Sequence, residues 1–120
     1  MKSLNKSNGI ISKDITFNGK YNLHSNIQIN PYCFFDENIE IFENVIIGSN
    51  SKIGPNVSIH KDCIIHDNVS LSNCIIMSNC EIQSGARIGG SGFGFDEKNK
   101  NKIIHSGNVI IGKSSTIGCN

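Results

Sequence analysis

The chain has 120 residues, with Lys+Arg 11 against Asp+Glu 10, two Pro and no Trp, for a formal net charge of +1. That length allows one domain, and a near-neutral balance with scattered lysines leaves no electrostatic footprint for nucleic acid. No apolar run approaches a membrane span, and the opening MKSLNKSNGIISKD lacks the apolar core of a signal peptide, so nothing directs the chain out of the cytoplasm.

Residues 1–10 read as an N-terminal segment. From Ile11 onward a large apolar residue returns at every sixth position: Ile11, Phe17, Leu23, Ile29, Phe35, Ile41, Ile47, Ile53, Ile59, Ile65, Leu71 and Met77. Six is neither the strand period of two nor the helix period near 3.6, so the sequence is a repeat before it is anything else. Four residues after each of these positions stands a second, mostly small or β-branched set that includes Ile27, Cys33, Val45, Ser51, Val57, Cys63 and Val69. Three residues after each, eight of twelve positions are Asn or Asp, among them Asn38, Asn44, Asn50, Asn56, Asp62 and Asn68. Those side chains tolerate left-handed backbone angles and favour turns.

Each hexad therefore predicts a short strand followed by a bend. Three strands and three bends close a triangular coil of about eighteen residues, and stacked coils pair as parallel strands about 4.8 Å apart. The fold class is all-β, a parallel β-helix of about six coils. No i, i+3, i+4 stripe supports a helix, and such even spacing with few hairpin signals argues against a sandwich.

The step from Met77 to Ile82 is one residue short, and the frame resumes at Ile82 and Ile88. An excursion then spans 89–104, opening on GGSGFGFDEKNKNK, which has no period. His105 takes the preceding interior slot before hexads return at Ile111 and Ile117. The glycines give the excursion backbone freedom, and Phe93 and Phe95 give it aromatic faces. The letters GGSGFG approach a dinucleotide loop, but no helix follows, and that motif depends on a helix N-terminus. A surface excursion at a subunit contact is the commoner use of such an insertion.

Five cysteines (Cys33, Cys63, Cys74, Cys80 and Cys119) form no C-x-x-C pair and leave an odd count. They read as reduced thiols, small buried hydrophobes or plain surface residues, and not as a disulfide framework or a metal site. His24, His60 and His66 each follow an interior residue, which places them outside as solvated imidazoles, with His24 and His60 on one face two coils apart.

The hexads IGSNSK, IGPNVS and IGKSST resemble the hexapeptide-repeat family, and that resemblance implies a left-handed β-helix. The last forty residues are more specific. IQSG at 82–85, IGGSGFGF at 88–95 and GNVIIGKSSTIGCN at 107–120 resemble UDP-3-O-acylglucosamine N-acyltransferase, an enzyme family of lipid A synthesis. The resemblance implies transfer of a 3-hydroxyacyl chain from acyl carrier protein to the amine of a UDP-sugar, by a homotrimer without cofactor or metal. It points to Gly92, Phe93, Gly94 and Phe95 as substrate-binding residues. The family's general-base His is expected beyond Asn120, so no catalytic residue is assigned within these residues, and the sequence reads as the N-terminal part of the enzyme's β-helix. Two alternatives stand beside it. One is another hexapeptide-repeat acyltransferase or a non-catalytic trimeric β-helix scaffold. The other is a zinc protein resembling the γ-class carbonic anhydrases, whose ligands would come from histidines such as His60 and His66.

Overall fold

The computed structural model describes residues 9–89 and 109–118. Fifteen short strands follow one another: β1 Ile15–Phe17, β2 Tyr21–Leu23, β3 Gln28–Ile29, β4 Cys33–Phe35, β5 Ile39–Ile41, β6 Ile46–Ile47, β7 Lys52–Ile53, β8 Val57–Ile59, β9 Ile64–Ile65, β10 Ser70–Leu71, β11 Cys74–Ile76, β12 Glu81–Ile82, β13 Arg87–Ile88, β14 Val109–Ile111 and β15 Thr116–Ile117. Every third strand joins the same sheet. The first face is β1-β4-β7-β10-β13, the second β2-β5-β8-β11-β14 and the third β3-β6-β9-β12-β15, all pairings being parallel. This is the left-handed parallel β-helix class. Among the described residues each face is five strands deep, which is four full turns from first strand to last, fewer than the six coils expected from the hexad count.

The hexad dictates this shape locally. The residue three places after each inward aliphatic takes a left-handed conformation: Asn26, Tyr32, Asn38, Asn44, Asn50, Asn56, Asp62 and Asn68 all have φ between 57° and 66°. Two inward side chains flank each bend. Leu23, Ile29, Phe35, Ile41, Ile47, Ile53, Ile59, Ile65 and Leu71 are at most 1% exposed. The second inward set, Ile27, Cys33, Ile39, Val45, Ser51, Val57, Cys63 and Val69, is also buried. Ile11 and Phe17 are only half-buried, because they lie in the first coil, yet they pack against the same core. Ser51 is the buried polar member of its column. Its hydroxyl donates to the His66 carbonyl at 3.1 Å and accepts from the Val69 amide at 3.1 Å, so the oxygen is satisfied in place.

The frame steps earlier than the sequence indicates. Ile76, and not Met77, is the fully buried residue after Leu71, and it pairs with Ile59 at a separation of seventeen residues. The short hexad is therefore Leu71–Ile76 and not Met77–Ile82. In consequence Cys74 and Cys80, which fall at bend positions in an unbroken frame, are indoors, while Ile75 and Glu81 turn outward. The bends move with them to Asn73 and Asn79, at φ 47° and 62°.

The irregularities gather at one corner, where the first face turns into the second. Gly54 sits there at φ +113°, followed by a cis bond to Pro55. A side chain at Gly54 would meet Ile39 Cδ1 at 2.8 Å and Asp36 Cβ at 3.0 Å, so the corner needs glycine for both space and backbone angle. One rung further, Ser72–Asn73 is the one-residue deletion. One rung beyond that stands Gly89, at φ +72° on the first face, and the next described strand begins at Val109 on the second. The excursion expected over 89–104 lies, apart from Gly89, outside the described residues, as do His105 and Cys119.

Candidate functional site

The corner and the first face beside it carry a concave, charged surface. Outward from the first face runs a column in register: Thr16, Phe34, Lys52, Ser70 and Arg87. Beside it, where each strand meets the corner, stand Asn18, Asp36, Gly54, Ser72 and Gly89. Two of these five positions carry no side chain, and a groove of about 240 Å³ opens there, lined by Lys52, Gly54, Ser70, Leu71, Ser72, Arg87 and Ile88. The Arg87 guanidinium donates to Ser70 Oγ at 3.3 Å, and the Ser72 hydroxyl donates to the Gly89 carbonyl at 2.8 Å. The Lys52 ammonium lies 5.9 Å from the centre of the Phe34 ring. Around the same corner, a second notch of about 430 Å³ is lined by Gly19, Lys20, Glu37, Asn38 and Asn56.

At the lower end of the groove stands Asp36. Its carboxyl is held below the usual carboxylate range, first by the hydrogen bond from the Asn18 side chain, then by the Glu37 amide, with a smaller contribution from the charge of Lys52. Gly92, Phe93, Gly94 and Phe95, the substrate-binding residues expected from sequence, lie outside the described residues.

The histidines are less solvated than the sequence suggests. His24 and His60 stack on the two sides of Phe42, with ring centroids 4.4 and 4.5 Å away and interplanar angles of 22° and 9°. His24 Nε2 also meets Glu40 Oε2 at 3.0 Å, a carboxylate oxygen that accepts from the Asn22 side chain as well. His66 stands at a different corner, with Nε2 2.7 Å from Glu81 Oε2. All three are half-buried rather than free imidazoles. The cause is the eighteen-residue turn, which puts Phe42 between the two rings and delivers a carboxylate one rung above His24 and one above His66. His60 and His66 do not converge, and among the described residues no group of three His, Cys, Asp or Glu is arranged to hold a metal ion.

The described thiols are indoors. Burial pushes Cys63 up to about 11 and Cys74 up to about 12, and it raises Cys33 as well. A thiol that stays protonated at neutral pH is a poor nucleophile, so these cysteines are packing residues. Their hydrogens have acceptors: Cys33 donates to the Gly48 carbonyl, Cys63 to that of Met77 and Cys80 to that of Gly112, at 3.1, 3.1 and 3.0 Å.

The residues singled out from sequence did not include the Lys52–Ser70–Arg87 column, although the one-residue short step before Ile82 already sets Arg87 two coils above Lys52. The spacing of the Asn bends, five from Asn68 to Asn73 instead of six, places the short step itself.

The family model for the GMPPB C-terminal domain matches residues 35–120, well over half of the chain. The chain belongs to the GMPPB C-terminal domain family. The match spans the corner, the groove and the excursion, and it agrees with the solenoid: the family is of the hexapeptide, β-helix type, related to the C-terminal domains of sugar nucleotidyltransferases. No curated protein and no solved structure matches the chain. The narrower likeness to UDP-3-O-acylglucosamine N-acyltransferase is not what the family match supports. Among the described residues no helix is long and apolar enough to cross a membrane.

Proposed function

We propose that this chain is a β-helix scaffold domain of a protein that handles nucleotide-linked sugars, and that it assembles with copies of itself as a homotrimer. The observation that carries the reading is on the third face. Ile46 and Ile64 are both 38% exposed and directly in register on adjacent rungs, an apolar strip on the outside of a sheet whose inner face is already filled. His66, paired with Glu81, stands beside the strip. Copies with parallel axes bring like rungs together, so each copy presents the same strip at the same height. The family match adds the connection to sugar nucleotides. Light scattering tests the assembly. A trimer has three times the 13.1 kDa of one chain, and Ile46→Glu with Ile64→Glu is expected to give monomers that keep a β-sheet spectrum. A monomeric wild type contradicts the reading.

A second reading rests on the motif IGGSGFGF at residues 88–95. Under it, the domain belongs to an acyltransferase in which the amine of UDP-3-O-acylglucosamine attacks the thioester carbonyl of a 3-hydroxyacyl carrier protein. The amine forms the new C–N bond, the thiolate leaves, and a positioned base takes the amine proton. The test is acyl transfer by the complete protein. Phe93→Ala with Phe95→Ala is expected to impair it more than His60→Ala or His66→Ala. A trimer that neither binds the UDP-sugar nor transfers the acyl group contradicts this second reading and leaves the scaffold.

A further inference from the structure

We propose that the groove on the first face is an anion site that takes the phosphoryl group of a small molecule, held between Arg87 and Lys52 over Ser70. The three residues occupy successive rungs of one outward column, Lys52 pairing in register with Ser70 and Ser70 with Arg87. The two cations are thus about 10 Å apart at the backbone, two rungs of roughly 4.8 Å, with a hydroxyl midway. Arg87 already reaches down to Ser70 Oγ. Because Ser70 accepts that bond, its own proton is free to point into the groove. A phosphoryl oxygen placed there receives the guanidinium from above, the Ser70 hydroxyl from the floor and the Lys52 ammonium from below.

Lys52 feels the charge of Asp36, but neither cation of the column is tied up in an ion pair. Among the described residues the ion pairs are His24–Glu40 and His66–Glu81, and neither involves Lys52 or Arg87. The resting contact of Lys52 is the Phe34 ring at 5.9 Å, an exposed cation–π contact weaker than a charge-assisted bond to phosphate. The groove exists because the corner beside it demands glycine at position 54, where any Cβ would strike Ile39 and Asp36. Asp36 bounds the site. Kept ionised by Asn18 and Glu37, it repels an anion from the lower rungs and confines it to the segment between Lys52 and Arg87. A cavity of about 240 Å³ is small for a whole nucleotide and ample for a phosphoryl or diphosphoryl group. This inference is independent of trimer assembly, since the groove is on the first face and the apolar strip on the third.

The experiment is a titration of the protein with inorganic phosphate and with pyrophosphate, followed by amide resonances and by calorimetry. Saturable shifts centred on Lys52, Ser70, Ser72 and Arg87 are expected, weakening as salt is added. Lys52→Gln with Arg87→Gln should lower the affinity about tenfold or more, since two charge-assisted bonds are lost. Both side chains are exposed, so the double variant should melt like the wild type. Lys61→Gln, an exposed cation at the second-to-third corner, should bind like the wild type. Absence of saturable binding to either anion, or equal affinity in the double variant, overturns the proposal. So does an equal loss on removing Lys61, which would mean diffuse charge and no site.

Discussion

Lys52 and Ile53 are adjacent in β7 and live in different solvents: the first is exposed, the second fully buried. Replacing Ile53 with Asp puts a carboxylate into an apolar prism without a partner, at a cost of several kcal/mol, comparable to a small domain's whole stability. Replacing Lys52 with Gln changes only a solvated charge, worth a few tenths of a kcal/mol in either direction. Thermal melts of Ile53→Asp and Lys52→Gln are expected to separate widely, and equal losses would mean that the inward frame is misassigned. The buried thiols add a pH term. In the unfolded chain Cys74 ionises near its ordinary value of 9.0, whereas in the folded protein burial holds it protonated to about 12. A raised pKa stabilises the fold fully below the unfolded value and loses that stabilisation as pH rises through the folded one. Stability is therefore expected to fall between about pH 9 and 12, and Cys74→Val should flatten that fall in melts taken across the alkaline range.

At the scale of the element, the hexad's bend is the unit that specifies the coil. Asn56 has φ 57°, and its side-chain amide donates to Asn73 Oδ1 while its carbonyl oxygen accepts from Asn38 Nδ2, at 2.9 and 2.8 Å. Asn56→Ala forfeits both bonds and the polar side chain that lets Asn tolerate a left-handed conformation, for a loss of about 1–2 kcal/mol. Asn56→Gly forfeits the bonds but keeps the backbone angle, so chemical denaturation should rank it between the wild type and Asn56→Ala. A Gly variant as damaged as Ala would contradict the role given to the angle. The Asn frame was also the better guide to register. Between 74 and 77 the sequence reads CIIM, where any frame finds an aliphatic to bury, so the apolar pattern could not locate the one-residue deletion. Asn68, Asn73 and Asn79 could, because only the residue at the bend needs a positive φ. The paired histidines were illegible for a related reason. Glu40 and Glu81 reach His24 and His66 from the next rung, at sequence separations of 16 and 15 that become neighbours only once the coil is closed.

At the scale of the molecule, the solenoid divides its tasks by face and corner. Stacked aliphatics make the interior a ladder in which each coil buries its apolar side against the next. The third face leaves Ile46 and Ile64 outside, the second stacks His24, Phe42 and His60, and the first bears the basic groove. The triangular fold was readable from large apolar residues at a fixed period, whereas the groove was not, since it depends on the missing side chains at Gly54 and Gly89 and on the bond from Arg87 to Ser70, which no periodicity shows. The placement of the deletion at Ser72–Asn73 decides which side chain joins Ser58 in the outward column of the second face. It is tested by disulfide trapping of in-register pairs, since rung neighbours stand within disulfide reach. Ser58 pairs with Ile75 in the structure, whereas an unbroken frame pairs it with residue 76. Ser58→Cys with Ile75→Cys is expected to cross-link readily under mild oxidation, and Ser58→Cys with Ile76→Cys to stay reduced, as peptide mapping would show. Cross-linking through position 76 and not 75 would contradict the register.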